Sequence, residues 1–338
     1  MTKNGNKRAV VVFALLIGLC VSAFFANIII GNVRISLDEV MRILFAGGGD
    51  VKSRNIIASI RLPRTVMTFV LGGALAVSGF LLQTYFANPI AGPYILGISS
   101  GAKMAVAMSL IFITSGTGYT SNLMLVLTAF LGAMVATGFI ILISKRVRNM
   151  AALLAAGIMI GYICSAVTDF LVTFAEDSDI VNLHSWSQGS FSGASMSAAW
   201  FSAVIVAIVF VAVMLMSKVL DAFRLGEVYA ASVGINVKLC RVLLIVLSSI
   251  LSACVTAFAG PVSFIGIAVP FLMREVLKSS KPIILIPASF LSGAVFCMVS
   301  DLLARMLFAP TEINISAVTS LFGAPIVIFM IIKRGKAK

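Results

Sequence analysis

The chain has 338 residues, of which 60% are hydrophobic and only 11% are charged, and its formal net charge is +13. Soluble domains carry about a quarter charged residues, so this composition excludes an ordinary soluble protein and favours one polytopic membrane domain over residues 1–338. In such a protein the positive charge indicates basic cytoplasmic loops, and we expect contact with membrane lipid and no nucleic-acid partner.

Apolar runs about one bilayer thick recur along the chain and predict an all-α protein with ten transmembrane helices. The first has a basic head like a signal peptide but no cleavage site, so we expect it to be retained. The eighth is short, with Pro270 and Pro282 near its ends, and could be tilted or incomplete. The predicted spans are 9–30, 62–83, 95–114, 123–144, 151–174, 199–217, 240–258, 266–278, 283–308 and 315–332.

Lysine and arginine are concentrated in alternate loops and at both chain ends, which predicts that both termini are cytoplasmic. The outer segment 31–64 is the exception to this pattern, since it also carries several cations. An exception of this kind indicates an acidic partner on the outside. The cations of this segment are Arg34, Arg42, Lys52, Arg54, Arg61 and Arg64.

An Ala-Gly-Pro sequence follows the second span at 91–93 and the seventh span at 259–261. Five spans separate the two, an odd shift, so the halves of the chain would cross the membrane in opposite directions. This predicts two inverted-repeat-like halves with broken helices, a common plan among transporters.

Small residues crowd the second span and predict close contacts with neighbouring helices, because helices in lipid associate by close backbone approach. They are Gly72, Gly73, Ala74, Ala76, Ser78 and Gly79. The five cysteines are scattered without a CxxC pair, so we interpret them as packing residues and expect neither a disulfide nor a metal site.

The sequence contains no catalytic constellation and no phosphate-binding loop of the GxxxxGK[ST] type, so we expect neither an enzyme nor a cofactor. The single histidine, His184, lies in a predicted outer loop without ligand partners at suitable spacing. Asp301 and Arg305 are four residues apart and can pair on one helix. The loop 218–241 is long and alternates apolar with charged residues, which predicts short amphipathic helices that dock on a partner.

Several long motifs occur in the order known from the FecCD family, the permease subunits of ABC importers for ferric siderophores, haem and cobalamin. The resemblance covers about residues 35–333. Its motifs are RLPR (61–64), ALAVSGFLLQTYFANPIAGPYILGISSGA (74–102), WSQGSFSGAS (186–195), LGEVYAASVGINV (225–237), AGPVSFIGIAVP (259–270) and ISAVTSLFGAPIVIF (315–329).

This resemblance implies a permease of the bacterial cytoplasmic membrane that works with a second permease subunit, identical or different, two cytoplasmic ATPases and an extracytoplasmic binding protein. It assigns binding-protein docking to Arg61, Arg64 and Arg305, and a path along the fifth and tenth spans. The residues implied in ATPase coupling are Leu225, Gly226, Glu227, Ala230 and Gly234. Those implied at an inner gate are Asn149, Met150, Ala151 and Ala152.

The chain departs from the common family pattern at Gly92, where NPLADP is usual, and at Phe271, where histidine follows the Val-Pro pair. The substrate we expect is an iron–siderophore complex, with haem and cobalamin as alternatives. The alternative of another class is an ion-coupled secondary transporter, which the scarcity of intramembrane carboxylates disfavours. A membrane-embedded enzyme is the third reading.

Overall fold

The computed structural model describes residues 3–114, 121–147 and 149–335, and all of its regular structure there is helical. Short π-helical segments at Arg42–Ala46, Ile57–Arg61 and Leu110–Thr114 continue adjacent α-helices, and Pro93–Leu96 forms a 3-10 turn. In chain order the helices are α1 Lys3–Ile29, α2 Leu37–Met41, α3 Val51–Ile56, α4 Leu62–Tyr85, α5 Ile98–Ser109, α6 Asn122–Ser144, α7 Met150–Val172, α8 Asp177–Ser187, α9 Met196–Leu215, α10 Ser217–Arg224, α11 Glu227–Ser232, α12 Val237–Ala259, α13 Ile265–Leu277, α14 Pro282–Met306 and α15 Ile315–Gly335.

Within the described ranges, each predicted span coincides with one helix. Among the residues that the structure describes, eight helices are long and apolar enough to cross a membrane, judged by length and composition. The two that fall short are α5 and α13, and α13 occupies the predicted eighth span. Helix α13 has 13 residues, in line with the short eighth apolar run of the sequence.

The bundle has two ends, which we name by their residues. The arginine end contains Arg61, Arg64 and Arg305, and the loop end contains 217–232. Both ends of the described chain lie at the loop end: Arg8 Nε donates to the Val276 carbonyl at 2.6 Å, and Lys333 pairs with Glu275.

Helix α4 lies at the centre of the bundle. All but three of its 24 residues are buried, and α9, α12, α13 and α14 pack around it. The contacts are close: a methyl group built on Gly72 would lie 2.6 Å from the Gly293 carbonyl oxygen of α14. The small residues of the second span therefore mark helix contacts, as predicted.

Both Ala-Gly-Pro segments interrupt the helical path before a short helix. Gly97 has φ +72°, and α5 starts there beside Gly157 and Gly161 of α7. These two glycines lie roughly 10 to 16 Å along α7 from the first residue of that helix. Gly260 has φ +72° and leads into α13, which begins beside the middle of α4. Such left-handed backbone favours glycine, which lacks a Cβ.

The two interruptions meet each other. A methyl on Gly92 would lie 2.6 Å from Ile267 Cγ1, and one on Gly266 would lie 3.1 Å from Pro93 Cδ. Gln83 of α4 joins the same junction by donating Nε2 to the Ile267 carbonyl at 3.0 Å. The irregular backbone is thus buried against protein, where its polar groups can be satisfied.

The five cysteines are free thiols and all are buried in helices, in agreement with a packing role. Large apolar side chains are exposed along α1, α6, α7, α9 and α15, which form the periphery of the bundle. These open faces suit lipid or a second subunit.

Candidate functional site

Arg61 lies at the arginine end and is 4% exposed. Its Nη1 donates to the carbonyls of Ile28 at 2.7 Å and Ile29 at 2.8 Å, and its Nη2 donates to Val33. The last carbonyls of a helix lack intrahelical partners, and a cation there also complements the helix dipole. Arg61 therefore caps α1, and in this conformation its guanidinium faces inward rather than towards a docking partner.

Arg64 follows one turn later on α4 and is also buried. Its Nε and Nη2 donate to Asp301 of α14 at 2.9–3.1 Å, and its Nη1 donates to both oxygens of Glu312 at 3.0 and 3.1 Å. Arginine matches carboxylates in this bidentate way because its donors form a planar fork. Arg64 thus ties α4 to α14 and to the loop that follows α14.

Arg305 completes the cluster. Its Nη2 donates to Asn27 Oδ1 at 2.6 Å, and its Nε lies 3.2 Å from Asp301 Oδ2, within ion-pair distance but without hydrogen-bond alignment. The predicted pairing of Asp301 with Arg305 is confirmed. Asn27 Nδ2 donates to the Met298 carbonyl at 3.1 Å, so α1 joins the same network. The three arginines named from the sequence therefore lie together.

Exposed cations lie in segment 31–64, which adjoins this buried network. Segment 31–64 has six basic residues against three acidic ones, Asp38, Glu39 and Asp50. The basic residues outside the network are all exposed, and they are Arg34, Arg42, Lys52 and Arg54. Their charge reaches solvent and is partly offset by the three acidic residues of the same segment.

At the loop end, the segment between α9 and α12 folds into the short helices α10 and α11. Ala230 is buried, whereas Leu225, Val228 and Tyr229 are exposed, so apolar side chains point away from the bundle. The chain turns at Gly226, with φ +118°, and at Gly234, with φ +85°. A Cβ at either glycine would meet open space, so these residues serve the backbone conformation rather than close packing.

Glu227, the first residue of α11, forms an ion pair with Arg241 on the first turns of α12 through two hydrogen bonds. This pair fastens the exposed α11 to a long helix of the bundle. A displacement of α11 would therefore be transmitted to α12.

A cavity of about 810 Å³ opens at the loop end between these elements. It brings two groups of predicted residues together, because Met150 of the implied gate lines it beside Gly226 and Glu227 of the implied coupling segment. Its remaining wall includes basic residues from α10, α12, α13, the residue after α13, and α15, which are Arg224, Arg241, Arg274, Lys278 and Lys333.

The other implied gate residues sit at the start of α7. Asn149 is the N-cap, and its Oδ1 accepts from the amides of Ala151 at 2.9 Å and Ala152 at 3.3 Å. This is a standard capping role. Asn149, Ala151 and Ala152 are exposed, and so are large apolar side chains farther along α7 and on α15.

Two residues of the arginine network were missed in the sequence. Glu312 is an acidic residue in a short loop. Its closeness in sequence to Asp301 and Arg305 was the one feature that could have indicated a place in this network. Asn27 is a polar residue near the end of an apolar span, which is unusual enough to mark a polar contact.

Comparison with known proteins gives one consistent result. The FecCD transport family profile matches residues 15–333. The chain is 33% identical over 281 residues to the hemin transport system permease HmuU of Yersinia pestis, covering 83% of this chain and 84% of that one. It is also 33% identical over 286 residues to the vitamin B12 import permease BtuC of Klebsiella pneumoniae, covering 84% and 85%.

A solved structure agrees over nearly the full length. It is described as an inward-facing conformation of a metal-chelate type ABC transporter, with a TM-score of 0.85 and 27% identity. The match covers 96% of this chain and 99% of that one.

Proposed function

The chain belongs to the FecCD transport family and is the permease subunit of an ABC importer in a bacterial inner membrane, and on that premise we propose how its two ends work. It is a transport subunit and not an enzyme, because ATP is hydrolysed by separate ATPase subunits in importers of this kind. The match of the family profile over residues 15–333 is the observation that carries the proposal. The secondary-transporter and enzyme readings are set aside with it.

The orientation we propose puts the loop end and both termini in the cytoplasm and the arginine end outside, with ten crossings in two inverted halves. The opposite directions of α4 and α12, each followed by an interruption and a short helix, support the inversion. Single cysteines at Lys52 and Ser232, both exposed, test the orientation. A membrane-impermeant maleimide added to intact cells should label only the first, and the native thiols are all buried.

Docking of an extracytoplasmic binding protein at the arginine end is our second proposal. The exposed cations of segment 31–64 would steer an acidic surface towards the membrane. Arg61, Arg64 and Arg305 lie beneath them, and we propose that they form the anchoring site, with Arg64 as the residue whose partner can change.

Coupling to two cytoplasmic ATPases is our third proposal, and it is placed on α10 and α11. Exposed apolar side chains such as Leu225 and Val228 would enter a groove of the ATPase. The ion pair of Glu227 with Arg241 would pass the movement to α12, and the cavity that contains Met150 lies directly beside it. Gly226, Ala230 and Gly234 hold the shape of this segment.

We propose that translocation takes place at an interface between two permease subunits, lined by α7 and α15. The apolar faces of these two helices are exposed in a single chain. The start of α7, with Asn149, Met150, Ala151 and Ala152, would form the inner gate. The two subunits would be either identical or different.

The cargo we propose is a metal chelate, with a ferric siderophore as first candidate and haem and cobalamin as alternatives. The two relatives are named for the transport of hemin and the import of vitamin B12, and the similar structure is described as a transporter of metal-chelate type.

Mild solubilisation of native membranes, affinity purification and mass spectrometry should recover an ATPase and a binding protein with this chain. If the chain purified without either partner, from membranes of cells that express an ATPase and a binding protein of this kind, the proposal would be contradicted.

A further inference from the structure

The guanidinium of Arg64 presents two edges to two carboxylates. One edge, Nε with Nη2, faces Asp301. The other edge, Nη1 with Nη2, faces Glu312, with donor–acceptor distances of 3.0–3.1 Å. Both hydrogen bonds of Nη1 go to Glu312, so loss of Glu312 would free one complete bidentate edge and leave the other intact.

The two carboxylates differ in how they are held. The Asp301 side chain is 1% exposed and belongs to α14, whereas the Glu312 side chain is 40% exposed. Glu312 ends an exposed stretch, 307–312, and the amide of the next residue, Ile313, donates to the Ala304 carbonyl at 2.9 Å. Rotation of the Glu312 side chain into water therefore requires no movement of a helix.

The surroundings favour exchange of one carboxylate for another. Arg64 and Arg305 face the two acids, and Arg61, whose own partners are uncharged backbone carbonyls, adds a third positive charge close to Arg305. A cavity of about 320 Å³ lies beside Arg64 and Glu312, with Gln188, Ser190 and Asn314 among its lining residues. An incoming carboxylate would find space, polar neighbours and a ready pair of donors.

We propose that Glu312 is an internal counter-ion that an acidic side chain of the binding protein displaces from Arg64 on docking. This inference rests on the proposed docking function and deepens it. The exchange replaces one bidentate pair with another, so no buried charge is left unpaired at the end. Because Glu312 competes for the site, it lowers the affinity of the partner and makes acidity at that position a requirement for binding.

Glu312→Gln tests the proposal, with Glu176→Gln as the matched control, since Glu176 is exposed at the same end and lies outside the network. Both changes alter the net charge equally, so general steering is controlled. The first measurement needs no partner: phenylglyoxal modification of Arg64 in the full-length complex, followed by mass spectrometry. We expect faster modification in Glu312→Gln and an unchanged rate in Glu176→Gln.

The second measurement is the affinity of the nanodisc-embedded permease–ATPase complex for the binding protein that copurifies with it. Competition predicts binding about tenfold tighter in Glu312→Gln and little change in Glu176→Gln. Glu312→Asp keeps the negative charge on a shorter side chain, so its affinity for the binding protein should stay near that of the wild type. This variant separates the effect of the charge from an effect of any substitution at this position on folding. Equal affinity of wild type and Glu312→Gln would overturn the displacement proposal, whereas absence of binding by the wild type would overturn docking itself.

Discussion

Gly79 and Gly266 lie so close that a methyl group built on Gly79 would sit 1.7 Å from the Gly266 carbonyl oxygen. This contact holds the start of α13 against the middle of α4, where both interruptions of the helical path meet. Neither backbone can yield easily, because α4 is buried on nearly every side.

Gly79→Ala should therefore destabilise the permease by about 3 kcal/mol or more, since overpacking against backbone cannot be relieved by a side-chain rotation. Thermal unfolding of the purified protein in detergent measures the effect. Gly138→Ala is the control, because a Cβ there meets nothing within 4 Å and alanine favours a helix by about 1 kcal/mol. Gly79→Ala should lower the unfolding temperature and Gly138→Ala should raise it, and a change of the same sign in both would contradict this contact.

The arginine network predicts unequal roles for its two acids. Asp301→Asn removes the acid shared by Arg64 and Arg305 and should cost about 3–5 kcal/mol, as expected when a buried ion pair loses one partner. Glu312→Gln should cost about 1 kcal/mol or less, because that side chain is well exposed. Unfolding of both variants under the same conditions gives the comparison, and similar losses of stability would refute the division into a fixed and a displaceable acid.

The ion pair of Glu227 with Arg241 should be required for coupling rather than for folding. Glu227→Arg should abolish most ATP-driven transport through like-charge repulsion with Arg241, while helical content stays normal. The double variant Glu227→Arg with Arg241→Glu should recover part of the activity, since the attraction is restored in reversed order. If the single and the double variant both fold and the double variant recovers no transport, the ion pair itself does not transmit the movement.

Gly234 should matter for its backbone conformation. Gly234→Ala forces a side chain into a left-handed conformation at a cost of about 1 kcal/mol or more, which should shift the loop and reduce stimulated ATPase activity. Gly193→Ala is the matched control, because its Cβ also meets open space but its φ lies outside the left-handed range. Equal ATPase stimulation in the two variants would count against a role for this turn.

The features that the sequence predicted are those set by local composition. Long apolar runs and their charged ends located the helices, the four-residue spacing predicted the pair of Asp301 with Arg305, and alternating apolar and charged residues predicted the short helices of the loop 218–241. Each of these depends on residues close together in the chain.

The features it did not predict depend on how helices face each other. Arg64 and Glu312 are 248 positions apart, and their contact requires α4, α14 and the following loop to be placed first. Around Gly79, helix α4 has apolar or small residues on all sides, so periodicity gave no face on which to expect Gly266. The inward turn of Arg61 was hidden for the same reason, because its acceptors are backbone carbonyls of α1, which carry no sequence signal.

ATP-driven uptake of a metal chelate into proteoliposomes tests the central claim most directly. The complex purified with its ATPase would be reconstituted with ATP inside, and its binding protein would be loaded outside with a radiolabelled ferric siderophore, hemin or cyanocobalamin. We predict accumulation of one of these chelates that requires both ATP and the binding protein. Uptake that proceeds without ATP, driven by a proton or sodium gradient, would contradict the account.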